Sequence, residues 1–177
     1  MGAWTTYGLG SANQNLPGYV VLDGGLIPSG GAGNFGAGFL PAAYQASCFR
    51  NDNPALANIV PLDESSTAQL NKLALMRELD QGMLARQGAH DQLESSISNY
   101  ELAYRMQSAV PELTNIDGES EVTKKLYGLD SKFEHTQSYG RQCLVARRLV
   151  ERGVRFVELT CPKIDGADRW DAHGGLI

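Results

Sequence analysis

The first third of the chain combines one short apolar run with many residues that interrupt regular structure. Residues 19–22, Tyr-Val-Val-Leu, are apolar and partly β-branched, and turn residues flank them on both sides. Such a bounded run predicts a buried strand. Most of the glycines and prolines also fall within residues 1–62. We therefore expect this part of the chain to be loop-rich, with one strand.

Between residues 65 and 110 the apolar positions recur at helical spacing, which predicts a hairpin of two helices. In the first helix, Ser66 and Gln69 have the spacing of a capping box, and Gly88 provides a stop. We expect the second helix to cover residues 91–109 and to end before Pro111, because proline disfavours helix in the preceding residue. The predicted apolar stripes are Leu73, Met76, Leu79 and Met83 in the first helix, and Leu93, Ile97, Tyr100 and Tyr104 in the second.

The last quarter of the chain changes from helical to strand composition at a single glycine. Residues 139–152 are amphipathic, Gly153 ends that pattern, and residues 154–159 are rich in strand-forming side chains. A shorter helix is predicted over residues 119–127. Helices that lead into strands in this way are typical of α/β sheets, where ligands collect outside the carboxyl ends of the strands. We therefore predict an α/β fold in which residues 136–177 form a helix, a strand and a site loop.

The loop after the last strand carries four side chains of the kinds that bind metals. They are Asp165, Asp168, Asp171 and His173. Carboxylate and imidazole groups suit divalent ions such as zinc, manganese or calcium, and the Asp-x-His spacing lets two side chains converge when the loop curves. The alternative is that this acidic, glycine-rich loop is a solvated turn.

Two other motifs have a weaker connection with chemistry. Arg141 lies in the first turn of the predicted helix, where a positive charge opposes the helix dipole, so it is the arginine we expect to bind an anionic substrate. A role as part of a solvated helix face is the alternative.

Residues 31–36 fit the pattern G-x-G-x-x-G, but a strand does not immediately precede them and no long helix follows. We therefore interpret them as a loop and not as a dinucleotide site.

Charge and composition limit the classes of partner. The chain has 177 residues and a formal net charge of −5. It has no basic surplus to neutralise phosphates, so we do not expect nucleic acid as a partner. No segment approaches the roughly 20 apolar residues of a membrane span. The three cysteines lack the spacing of a disulfide framework or zinc knuckle, and we expect free thiols.

Five segments together resemble a large bacterial family of uncharacterised sulfatase-like proteins, a domain-of-unknown-function group in the alkaline phosphatase superfamily. These segments are GAWTTYGLG at residues 2–10, NLPGYVVL at 15–22, GFLPAAYQ at 38–45, YGRQCL at 139–144 and WDAH at 170–173. The resemblance implies a partial alkaline-phosphatase-like three-layer fold, with a central sheet, flanking helices and a divalent metal site at the strand ends. It also implies an exported, periplasmic protein of which residues 1–177 are the incomplete middle part.

The resemblance further implies a metal-dependent hydrolase that acts on small sulfate or phosphate esters. Asp171 and His173 are the implied metal ligands, and Arg141 lies in a recurrent motif of the family. We expect the segment by itself to be inactive, because the nucleophile and further ligands come from other parts of such proteins. A non-catalytic exported binding or scaffold protein of the same fold is the alternative.

Overall fold

A computed structural model describes residues 1–25, 27–51, 54–61, 65–88 and 91–161. The strands that it contains are β1 (Tyr19–Asp23), β2 (Ser47–Arg50) and β3 (Phe156–Leu159). The α-helices are α1 (Gly2–Leu9), α2 (Ser66–Gln87), α3 (Asp91–Thr114), α4 (Glu121–Leu126) and α5 (Glu134–Glu151). The predicted α/β class is confirmed. None of the helices in these ranges is both long and apolar enough to cross a membrane.

The three strands form a parallel sheet in the order β2-β1-β3. In the centre, β1 pairs Val20 with Ser47 on one side and with Val157 on the other. Successive side chains of a strand point to opposite faces, and β1 is apolar on both. Val20 and Leu22 belong to a core shared with α3 and α5, whereas Tyr19 and Val21 pack with residues of α1 and of a short 3₁₀ helix at Gly31–Phe35. The predicted strand at residues 19–22 is confirmed.

The loop-rich N-terminal part contains more regular structure than the sequence predicts. The structure adds α1 and a second strand, β2, to the single predicted strand. Glycine and threonine make α1 a poor helix by propensity, and tertiary packing stabilises it instead. A Cβ atom at Gly2 would overlap the ring of Tyr19, so glycine lets α1 lie directly on β1. The ring of Tyr7 also packs edge-on against that of Tyr44, with centroids 5.2 Å apart.

The helical hairpin is confirmed, but polar contacts connect its two helices. Gln69 donates to Gln107, and Arg77 forms a 2.7 Å ion pair with Glu101. The capping box is wrong: Ser65 is the N-cap and no side-chain cap bond forms there. The predicted apolar stripe of α2 does not pack into the core, because Leu79 is 61% exposed and Met76 and Met83 are about 40% exposed.

The predicted end of α3 at residue 109 is also wrong. Helix α3 continues through Pro111 to Thr114. The lost backbone hydrogen bond costs stability, but Val110 and Leu113 become almost completely buried by this extension. Arg148 of α5 donates to the carbonyl oxygens of Glu112 and Asn115, which satisfies groups at the end of the helix.

Tyr100 joins the two helices and makes their contact dependent on pH. Tyr100 belongs to the predicted apolar stripe of the second helix, which we expect to pack into the core, but it is half-buried, and its hydroxyl donates to Asp80 at 2.6 Å. Removal of water from the phenol, together with this hydrogen bond to a carboxylate, raises the pKa of Tyr100 to about 12.

We expect the free energy of unfolding to fall as the pH rises from about 10 to about 12, because an unfolded tyrosine loses its proton near 10 while folded Tyr100 keeps it. In Tyr100→Phe this fall should be smaller. Urea denaturation at several alkaline pH values measures both curves. Parallel curves for the two proteins would contradict the prediction.

Candidate functional site

A cleft of about 760 Å³ lies at the carboxyl ends of the parallel strands. In open α/β sheets this edge is the usual place for ligands, and the volume is within the roughly 300–1,000 Å³ of small-molecule sites. The polar and charged residues that line it are Asp23, Arg50, Asn51, Glu134, Gln137, Ser138 and Arg141. They come from the ends of β1 and β2 and from the first half of α5. The cleft therefore combines segments that are far apart in sequence.

Asp23 ends the central strand, and hydrogen bonds from Gly25 and Thr160 fix its carboxylate. The backbone N–H of Gly25 donates to Oδ1 at 2.8 Å, and the hydroxyl of Thr160 donates to the same oxygen at 3.3 Å. The N–H of Gly24 in turn donates to the Thr160 hydroxyl at 2.8 Å. Thr160 directly follows β3, so these bonds join the ends of two neighbouring strands. They hold the carboxylate of Asp23 at the wall of the cleft.

Helix α5 presents a polar stripe to the cleft. Glu134, Gln137, Ser138 and Arg141 occupy positions i, i+3, i+4 and i+7, which places them on one helix face. Asn51, just after β2, donates to the hydroxyl of Ser138 at 2.8 Å and so connects that strand to the helix. The sequence does not predict this stripe, because the amphipathic pattern begins at residue 139 whereas the helix begins at Glu134.

Arg141 lines the cleft, but its position in the helix differs from the predicted one. Because α5 begins at Glu134, Arg141 is about two turns inside the helix, and the prediction that places it in the first turn is wrong. Its Nη2 donates to the carbonyl oxygen of Thr114 at 3.1 Å, at the end of α3. That bond uses one of the five N–H groups of the guanidinium. Arg50, which is exposed at the end of β2, is a second arginine along the same cleft.

The charged side chains of the cleft are two arginines, Arg50 and Arg141, and two carboxylates, Asp23 and Glu134. A guanidinium offers paired N–H donors that match the oxygens of a sulfate, phosphate or carboxylate group. Arg50 and Arg141 are therefore suited to an oxyanion. Asp23 adds a hard oxygen ligand of the kind that divalent cations prefer. A ligand with an anionic group and a bound cation would match both features.

Asp171 and His173, the predicted metal ligands, lie outside the described residues, as do Asp165 and Asp168. Within the ranges that the structure describes, no group of three histidine, cysteine, aspartate or glutamate side chains is placed to hold a metal ion. Asp23 is the carboxylate in those ranges that fits such an ion at the strand ends. The sequence contained a signal for Asp23, since it directly follows a predicted strand and precedes two glycines.

The cysteines do not enter the cleft lining and occur as free thiols. Cys48 lies on β2, Cys143 on α5 and Cys161 after β3. Burial raises the pKa of the Cys143 thiol above its ordinary value. A raised pKa lowers the fraction of thiolate at neutral pH, which disfavours Cys143 as a nucleophile.

Comparison with known proteins identifies a family but no activity. Residues 1–177 match the family described as "Protein of unknown function (DUF1501)". No curated protein and no solved structure matches the chain. The match covers all the segments on which the sequence resemblance depends.

Proposed function

The chain belongs to the DUF1501 family, and from the cleft we propose that the protein is a metal-dependent hydrolase of sulfate or phosphate esters. The observation that carries the proposal is the meeting of Asp23, Arg50 and Arg141 in one cleft at the ends of the parallel strands. The resemblance to sulfatase-like proteins supports the same activity. An alkaline-phosphatase-like arrangement of the complete sheet is part of this proposal.

In the proposed reaction the two arginines bind the anionic group of the ester. Paired N–H donors from Arg50 and Arg141 hold the non-bridging oxygens and stabilise the charge that they carry in the transition state. The hydrogen bonds from Gly25 and Thr160 already hold the Asp23 carboxylate in place, so this side chain need not rearrange during the reaction. Asp23, with Asp171 and His173, would hold a divalent ion. When bound, such an ion supplies Lewis-acid activation at the ester.

A panel of aryl sulfates and aryl phosphates tests the proposal on the intact gene product. We expect turnover that depends on added zinc, manganese or calcium and that stops with a chelator. Arg141→Met should lower kcat/KM by about 10²-fold, which is the usual loss when one donor to a developing oxyanion is removed. Arg147→Met is the matched control, because Arg147 lies on the same helix and pairs with Glu151. It should retain the turnover of the unchanged protein.

Metal analysis of the same protein tests the ligand assignment. Asp171→Ala, His173→Ala and Asp23→Asn should each lower the amount of bound metal. Unchanged metal content in all three variants would contradict the assignment. The absence of turnover on every ester and metal of the panel would contradict the hydrolase.

A non-catalytic binding protein is the second candidate, and the exposed apolar residues of α2 favour it. Leu75 and Leu79 are 57% and 61% exposed, one turn apart on the same helix face. Apolar rows of this kind mark surfaces that associate with other molecules. Metal-dependent turnover on the ester panel would rule this candidate out as the main function.

A further inference from the structure

Gln142, the residue next to Arg141, is a buried amide with an incomplete set of hydrogen bonds. It is 2% exposed, and its Nε2 donates to the carbonyl oxygen of Leu22 at a long 3.4 Å. Its Oε1 is buried and accepts no hydrogen bond from the described residues. A buried acceptor without a donor costs about 1–3 kcal/mol, so such atoms are nearly always satisfied. The amide therefore needs a donor near Oε1.

A small cavity beneath the cleft offers room for that donor. Its volume is about 10 Å³, and Gln142, Arg141, Thr114, Asn51 and Arg50 supply its polar lining. One water molecule needs roughly 10–15 Å³ of such space and two to four polar partners. Leu22, Phe49 and Val145 close the cavity with apolar surface. The space is therefore large enough for one water and too small for a ligand.

Arg141 connects this cavity to the cleft above it. Arg141 lines both spaces, as Arg50 and Asn51 do, and its Nη2 donates to the carbonyl oxygen of Thr114, which also lines the cavity. This bond places the guanidinium next to a residue of the cavity wall. A water there can accept an N–H of Arg141 and donate to Oε1 of Gln142, which satisfies both groups.

We propose that one ordered water molecule occupies this cavity, and that through it Gln142 positions the guanidinium of Arg141. Gln142 is then a positioning residue, because it does not line the cleft. Its own backbone is fixed by α5, and its Nε2 reaches the end of β1 at Leu22. The arginine is thus oriented by the central strand of the sheet. The inference rests on the proposed function in one respect, since it takes Arg141 as a group that binds an anion.

A high-resolution crystal structure of the intact protein tests the water directly. We expect a water within about 3 Å of both Gln142 Oε1 and a nitrogen of Arg141. In Gln142→Met, which has a side chain of similar length without polar atoms, that water should be lost or displaced. A protein donor on Oε1 in place of the water, or a dry cavity, would overturn the proposal.

Calorimetric titration with inorganic phosphate tests the positioning role. Loss of a group that orients a binding residue typically costs about tenfold or more in affinity, and we expect about tenfold weaker phosphate binding in Gln142→Met. Gln69→Met makes the same chemical change in the hairpin, away from the cleft, and should bind phosphate as the unchanged protein does. A Gln142→Met protein that melts earlier but binds phosphate with unchanged affinity would show that Gln142 is structural alone. If the unchanged protein binds no phosphate, the proposed function fails, while the crystal structure still decides the water.

Discussion

Gly24→Ala is expected to destabilise the protein by about 3 kcal/mol and to disrupt the cleft, because an added methyl group has no room at this position. A Cβ atom at Gly24 would overlap the backbone carbonyl oxygen of Thr160 and lie 2.9 Å from Nε2 of Gln142. A backbone atom cannot rotate away as the end of a side chain can. The ends of β1 and β3 would have to separate. That movement would break the bonds that hold Asp23.

Urea denaturation measures the loss of stability, and phosphate titration measures the loss of the site. Gly8→Ala is the matched control, since a Cβ atom at Gly8 meets no atom within 4 Å. Gly8 lies inside α1, where alanine should stabilise the helix by up to about 1 kcal/mol. If Gly24→Ala and Gly8→Ala unfolded at the same urea concentration, the close approach of β1 and β3 at Gly24 would be contradicted.

The elements that the sequence predicts are those whose own residues determine the structure. Strand β1 is a continuous apolar run, which is the pattern of a strand buried on both faces. Helix α5 has a strong amphipathic pattern and ends before Gly153, and β3 follows within a few residues. In these segments local propensity and burial favour the same structure. Their bounds shift by one to five residues because tertiary contacts extend or shorten the ends.

The elements that the sequence misses depend on contacts with distant residues. Strand β2 has only four residues, and of these only Phe49 is buried, so no alternating pattern is visible. The end of α3 is set by α5, whose Arg148 satisfies the carbonyl oxygens beyond Pro111. Neither the pairing of β2 with β1 nor the contact of Arg148 with the end of α3 can be deduced from the local sequence. Helix α2 differs, because the sequence predicts the helix itself correctly. The helical spacing of its apolar residues does not show whether another element covers them, and most of them are exposed.

The candidate site was predictable in its place and only partly in its residues. A strand followed by polar residues predicts chemistry at the carboxyl edge of the sheet, and the cleft lies at that edge. Arg141 was identified there, although with a wrong reason. Arg50 was not identified, because it belongs to the strand that the sequence misses. Asp23 follows the predicted strand as one of its flanking turn residues, and its bond from Thr160 cannot be deduced locally because it joins positions 137 residues apart.

Phe49→Ala is expected to cost about 3–5 kcal/mol, the usual loss when a buried phenylalanine is truncated in a core. Phe49 is 1% exposed and belongs to the same buried cluster as Val20, Leu22 and Leu144. It is the buried apolar residue of the short strand β2, which lies at one edge of the sheet among the described residues, and Arg50 follows it directly. Loss of the ring should therefore loosen β2 and weaken phosphate binding through Arg50 as well as lower stability.

Phe133→Ala provides the matched comparison for this loss. The ring of Phe133 is 61% exposed just before α5, with Lys132 over its face. Its removal should cost less than about 1 kcal/mol, as is usual for surface positions. Thermal and urea denaturation of both variants, together with phosphate titration, separate the two cases. Equal losses of stability in the two variants would mean that β2 does not depend on Phe49, and that Arg50 is held at the cleft by the rest of the sheet.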